Sequence, residues 1–135
     1  MTKSEALAKF LEIDLDCLDV SKYDDNAFEY GREEYLVLTD QEAAAMAGER
    51  ILDLVWAFRP EFLASHCVEG VDSETIESIQ NNERCGSNNA VLLRLIDDVD
   101  HFVNDAIAAD GRGHFLADYD NEENESGEFF IYRTN

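Results

Sequence analysis

Apolar side chains first recur at helical spacing between Lys3 and Ile13, where Ala6, Leu7, Phe10 and Leu11 share one face. The spacing predicts a short first helix with Ser4 as its cap. From Asp14 to Asp25, Leu15, Cys17 or Leu18, and Val20 alternate with carboxylates, a pattern that fits neither helix nor strand cleanly. Ala27-Phe-Glu-Tyr30 and Glu34-Tyr-Leu-Val-Leu38 are strand-like runs separated by Gly31-Arg32, which predicts a hairpin. Thr39-Asp-Gln-Glu42 then forms a capping box and opens a helix expected to run to about Phe58. Its stripe is Ala43, Ala47, Ile51, Leu54, Val55 and Phe58, widened by Met46, Leu52 and Trp56, so the helix should be covered on most sides.

Pro60 suits the first turn of a new short helix through His66. Asp72 can cap another through Gln80, with Ile76 and Ile79 facing inward. Asn81 to Asn89 reads as a polar loop containing Gly86. A long helix is expected from about Asn88 to Ala109, buried along Leu92, Leu95, Ile96, Val99, Phe102, Val103 and Ala106 and stopped by Asp110-Gly111. Beyond it, His114-Phe-Leu is short and apolar, Asp118 to Glu128 carries six carboxylates, and Glu128-Phe-Phe-Ile-Tyr-Arg133 has strand character. The expected fold is therefore a single α+β domain spanning residues 1–135. Four to five helices would pack on a three-stranded antiparallel sheet made by the early hairpin and the C-terminal strand.

Charge changes the picture most. The chain has 135 residues, with 31 Asp and Glu against 10 Lys and Arg, a formal charge of −21. Such a surface repels nucleic acid and anionic membranes and attracts basic proteins. Apolar residues make up 45% of the chain and include eight Phe, enough for a packed core rather than an acidic disordered chain. Cys17, Cys67 and Cys85 form no zinc-ligand spacing and read as reduced, semi-buried thiols. Neither a signal peptide nor a membrane-length apolar run is apparent, so a cytoplasmic protein is expected.

No arrangement of residues reads as catalytic, and no cofactor or metal is expected. The acidic stretch from Asp118 fails the EF-hand pattern, because Glu123 stands where glycine is needed and Phe129 where the bidentate acid should be. Asp98 and His101 have the spacing of a helical metal pair, and Asp97 lies four residues before His101, but the second pair of a dinuclear site is missing. A solvated polar face is the better reading there. Ser65-His66-Cys67 are consecutive and cannot form a relay on one helix. Asp110-Gly-Arg-Gly-His114 could cradle a phosphate with Arg112, or simply stop a helix and turn, which is preferred.

What remains is the distribution of carboxylates: eleven through Asp40, eight in the next forty residues and twelve after that. Acids four apart on a helix stand about 6 Å apart along its axis, close to the phosphate spacing of one nucleic-acid strand. Candidate partner contacts are Asp118, Asp120, Glu122, Glu123 and Glu125 in the tail, and Asp97, Asp98, Asp100 and Asp105 on the long helix. The competing reading is that acidity serves solubility alone.

The ending from Ala109-Asp-Gly-Arg-Gly-His-Phe-Leu through Tyr119-Asp-Asn-Glu-Glu-Asn-Glu125 to Phe129-Phe-Ile-Tyr-Arg-Thr-Asn135 resembles that of small acidic proteins of bacteriophages, plasmids and other mobile elements. Tyr30-Gly-Arg-Glu-Glu-Tyr-Leu-Val-Leu-Thr-Asp40 and Val55-Trp-Ala-Phe-Arg-Pro-Glu-Phe-Leu-Ala-Ser-His66 are similar to the same group. The resemblance transfers no catalytic residue. It implies a mobile-element protein in a bacterial cytoplasm, where small acidic proteins include anti-restriction and anti-CRISPR inhibitors. The expected function is non-enzymatic binding to a basic, nucleic-acid-binding host defence protein through a nucleic-acid-mimicking surface. The alternative is an acidic accessory or regulatory protein of a phage with no mimicry role.

Overall fold

A computed structural model describes the backbone of residues 1–81 and 85–135 and the side chains of 1–81 and 88–135. The element order is α1 (Lys3–Leu11), β1 (Asp19–Val20), β2 (Ala27–Tyr30), β3 (Glu33–Leu38), α2 (Asp40–Asp53), α3 (Pro60–His66), α4 (Ser73–Gln80), α5 (Cys85–Leu95), α6 (Val99–Asp110), α7 (Arg112–Leu116), β4 (Asn124–Ser126) and β5 (Phe129–Arg133). Short 3-10 turns occupy Leu15–Cys17 and Val55–Ala57. The chain forms two compact units, Met1–Ala47 with Asp110–Asn135, and Gly48–Ala109. Among the described residues, no helix is long and apolar enough to cross a membrane.

The first unit is built on an antiparallel sheet of five strands in the order β1-β2-β3-β5-β4, which overturns the expected three-stranded sheet. Its centre is the expected hairpin joined to the C-terminal strand: Tyr35 pairs with Arg133 and Val37 with Ile131. Two short edge strands were hidden in acidic sequence. Asp19–Val20 pairs with β2, and Asn124–Ser126 folds back on β5 through the Gly127-Glu128 turn, where Gly127 takes a φ of 62°. Carboxylates on an edge strand face water at little cost, so hydropathy alone does not reveal such strands.

Alternation places Tyr35, Val37, Phe129 and Ile131 in one core cluster with Phe28 and with Ala6 and Leu7 of α1. The hydroxyl of Ser126 donates to the Ala6 carbonyl at 2.7 Å and fastens α1 to β4. Leu36, Leu38 and Tyr132 alternate to the other face and are buried as well, so β3 is apolar on both sides. The cap of α1 is Thr2 rather than Ser4: the Thr2 hydroxyl accepts from the Glu5 amide at 3.2 Å. The predicted capping box is present, with Thr39 and Glu42 satisfying each other's amides at 2.9 and 3.2 Å.

The second unit is helical and buries Ile51, Val55, Leu63, Ile76, Leu92, Ile96, Phe102 and Ala106. Helices α3 and α4 lie where the sequence puts them, started by Pro60 and by the Asp72 cap. Two helices end early. α2 stops at Asp53 instead of Phe58, because Asn89 of α5 donates to the Leu52 carbonyl at 2.8 Å and accepts from the Trp56 amide at 3.1 Å. The expected long helix is two, α5 and α6, parted at residues 96–98. Asp98 is the cause: its carboxylate accepts the His101 amide at 3.1 Å and starts α6 as a cap would. With α7, this split gives seven α-helices among the described residues, against the four to five expected. Residues 82–84 of the expected polar loop, and the reading of the Cys85 thiol, lie outside the described residues; the chain is already helical from Cys85.

Candidate functional site

The break between α5 and α6 organises the more open of two polar clusters. Ile96 forms a β-bridge with Cys67, the Val68 amide reaches the Leu95 carbonyl at 2.8 Å, and the Asp97 amide reaches the His66 carbonyl at 2.9 Å. These bonds hold the last residue of α3 beside the first turns of α6. His66 is consequently buried, with its ring packed 5.1 Å from Phe62 and 5.5 Å from Phe102. Its Nε2 lies 3.1 Å from an oxygen of Asp105, and the Nε2 of His101 lies 3.5 Å from the same oxygen. Donor atoms of all three residues fall within 4.8 Å of one another.

A half-open cleft of about 100 Å³ adjoins the trio, lined by Ser65, His66, Cys67, Asp97, Asp98 and His101. Burial pushes the Cys67 thiol up from its ordinary pKa, so it stays protonated at neutral pH. Ser65 donates to the Phe62 carbonyl at 2.7 Å. Ser65 and His66 close α3, whereas Cys67 lies just past its end in the bridge to Ile96, so the three are not all consecutive helical positions as expected.

The second cluster lies in the other unit. Arg112, on α7, donates to both oxygens of Glu123 at 2.9 and 3.2 Å and to the Asp40 carboxylate at 2.8 Å and carbonyl at 3.2 Å. Its guanidinium also stacks 4.6 Å above the Phe130 ring, and Tyr132 donates its hydroxyl to Glu123. Gly113 permits this approach: a Cβ there would stand 2.5 Å from the Asn121 carbonyl oxygen and 2.9 Å from the Glu123 nitrogen. The Glu123 bonds hold Arg112 well above its ordinary pKa, and burial with the Glu123 bond raises Tyr132 likewise. Burial pushes Glu123 up, but its bonds from Arg112 and Tyr132 outweigh it and the net shift is downward. Arg112 is thus occupied by carboxylates, and within Asp110–His114 helix α6 stops at Asp110, in line with the preferred reading of that segment as a helix stop.

The nine predicted contact acids divide by job. Asp97, Asp98 and Asp100 are exposed at the start of α6, with Asp98 spent as its cap, while Asp105 is half-buried between two imidazoles. In the tail, Asp118, Asp120, Glu122, Glu123 and Glu125 are all exposed as residues, Asp120 accepts the Glu122 amide at 3.0 Å, and the Glu123 carboxylate pairs with Arg112. The helical and tail acids therefore belong to different units, and Glu123 shares a cluster with Asp40 of its own unit. Sequence reasoning missed the roles of His66, Asp105, Asp40 and Tyr132. The His101–Asp105 spacing was visible as a four-residue interval, but nothing local indicated that α3 would deliver His66 to it.

No family model matches the chain, and neither the curated proteins nor the solved structures contain a match to it.

Proposed function

We propose that this chain is a non-enzymatic binding protein of a bacteriophage or other mobile element. In a bacterial cytoplasm it occupies the basic nucleic-acid-binding surface of a host defence protein, in the manner of an anti-restriction or anti-CRISPR inhibitor. One observation carries the reading. If each of the 10 Lys and Arg cancelled one of the 31 carboxylates, 31 − 10 = 21 would still lack a cation. Pairs such as Lys3–Glu42, Arg112–Glu123 and Arg133–Glu33 already use part of that short supply of cations. The uncancelled charge needs a basic counterpart or plain water, and a groove built for phosphates is the most complementary protein surface.

A second reading has its own support. Asp98, Asp105, Asp120 and Glu123 hold local structure, so part of the candidate contact set is committed internally. That pattern suits an acidic accessory protein whose charge serves solubility. Capture from host lysate followed by a nucleic-acid competition assay separates the two. The inhibitor reading expects a captured protein that loses its nucleic acid when this chain binds and is released between roughly 50 and 500 mM NaCl. Replacing the exposed Glu122 and Glu125 by Lys should weaken capture by about tenfold. Capture that survives both high salt and the lysine variants would replace the electrostatic reading with an apolar one.

A further inference from the structure

We propose that His66, His101 and Asp105 form a binding site for one divalent transition-metal ion of the zinc class. The inference stands apart from the acidic-partner reading and uses none of its residues except Asp105. The donor set decides the class: two imidazole nitrogens and one carboxylate oxygen suit zinc and its neighbours, whereas calcium and magnesium favour oxygen alone.

Distances agree with that assignment. Ligand atoms about 2.0–2.1 Å from a tetrahedral ion stand about 3.3–3.4 Å from one another. Two edges of the trio, 3.1 and 3.5 Å, straddle this value. The third edge, between the two histidines, lies within 4.8 Å, with the His101 ring, on a side chain 64% exposed, packed 5.1 Å from the His66 ring. His66 is the fixed member, held by the Phe62 and Phe102 rings and by the bond between its carbonyl and the Asp97 amide. Three protein ligands leave a coordination position for water, and His66 and His101 both line the adjoining cleft.

Two imidazole N–H groups donating to one carboxylate would give similar distances, so the test must separate metal ligation from hydrogen bonding. The full chain, freed of metal with a chelator, is titrated with Zn²⁺ by calorimetry in about 5 mM Mg²⁺, which occupies the oxygen-only carboxylate sites. One equivalent of saturable Zn²⁺ binding is expected, and Co²⁺ at the same site should give the strong visible absorption of a tetrahedral ion. His101→Ala and Asp105→Asn should each weaken Zn²⁺ binding by at least about 100-fold, since loss of an outer-shell partner alone costs 10 to 100-fold. Glu122→Gln with Glu125→Gln should leave it unchanged. Because His101 is exposed, His101→Ala should unfold at the same temperature as the parent without metal, so lost binding is not lost folding. Absence of saturable binding, or binding retained in the His101→Ala, Asp105→Asn double variant, overturns the site.

Discussion

The two polar clusters are built from similar parts and end in opposite states. In the first unit, the Arg112 side chain is only 13% exposed and meets two carboxylates and an aromatic face, and one of those carboxylates also accepts the Tyr132 hydroxyl. A guanidinium is charged at any ordinary pH, so its burial must be matched by anions wherever the chain folds. The cluster is closed around its cation, with 77% of the Asp40 side chain and 30% of the Glu123 side chain still exposed. In the second unit, one carboxylate oxygen faces two imidazole rings beside a cleft. Imidazole nitrogens can serve as donors, acceptors or ligands. A permanent cation locks a cluster, whereas histidine leaves it available.

The largest effect should follow from opening the closed cluster. Arg112→Ala removes the cation from Glu123 and the cover from Phe130, leaving a partly buried carboxylate with only the Tyr132 hydroxyl. Asp40 and Glu123 keep 77% and 30% of their side chains exposed, but Arg112 loses several charge-assisted bonds and its packing on Phe130, so about 3 kcal/mol is expected in urea unfolding. His101→Ala in the open cluster should cost under about 0.5 kcal/mol, as substitutions of exposed side chains do. Equal losses at the two sites would erase the distinction.

A smaller effect tests how the closed cluster is assembled. Gly113→Ala would drive a methyl group into the backbone of residues 121–123, which cannot rotate away as a side chain could. Overpacking of this kind costs about 1–3 kcal/mol. Because the displaced backbone carries Glu123, the loss should be non-additive with Glu123→Gln in a double-mutant cycle. Strict additivity would mean that Gly113 and the ion pair act independently.

Legibility in the sequence followed how local each cause was. α3, α4, the hairpin and the Thr39 box are written within a few residues each, by Pro60, Asp72, alternation and a four-residue motif, and they form where expected. The α5–α6 break was legible in principle, since Asp98 is a good cap, but the apolar stripe from Leu92 to Ala106 runs through it and outweighed that signal. The early end of α2 depends on Asn89, more than thirty residues away, and Arg112 meets Asp40 across an even longer interval. Periodicity carries no information at that range. The edge strands were missed because their outward carboxylates look like loop sequence. Of the candidate site, the exposed acids could be identified from composition, whereas the meeting of His66 with Asp105 required the tertiary fold.

The smallest effect concerns a third cluster, intermediate in exposure. Glu42, whose side chain is 37% exposed, accepts Lys3 at 2.7 Å while also completing the capping box with Thr39. The Lys3 bond first, and the Thr39 amide second, hold its carboxyl at about 2 instead of 4.5. A depressed carboxylate contributes its stability above the unfolded value and loses it as pH falls through the folded one. The contribution is therefore complete above about pH 4.5 and vanishes toward about pH 2. Glu42→Gln retains the capping geometry and removes only the charge, so solvent screening should hold its cost near 0.5 kcal/mol at about pH 7. Protonation of the other exposed acids relieves repulsion in both proteins alike, so the quantity to follow is the difference in melting temperature between parent and variant. That difference should shrink steadily as pH is lowered from about 4.5, where the Arg112→Ala difference, dominated by burial, persists for longer. A Glu42 difference unchanged down to about pH 2 would show that the Lys3 pair contributes nothing and that Thr39 capping alone sets this end of α2.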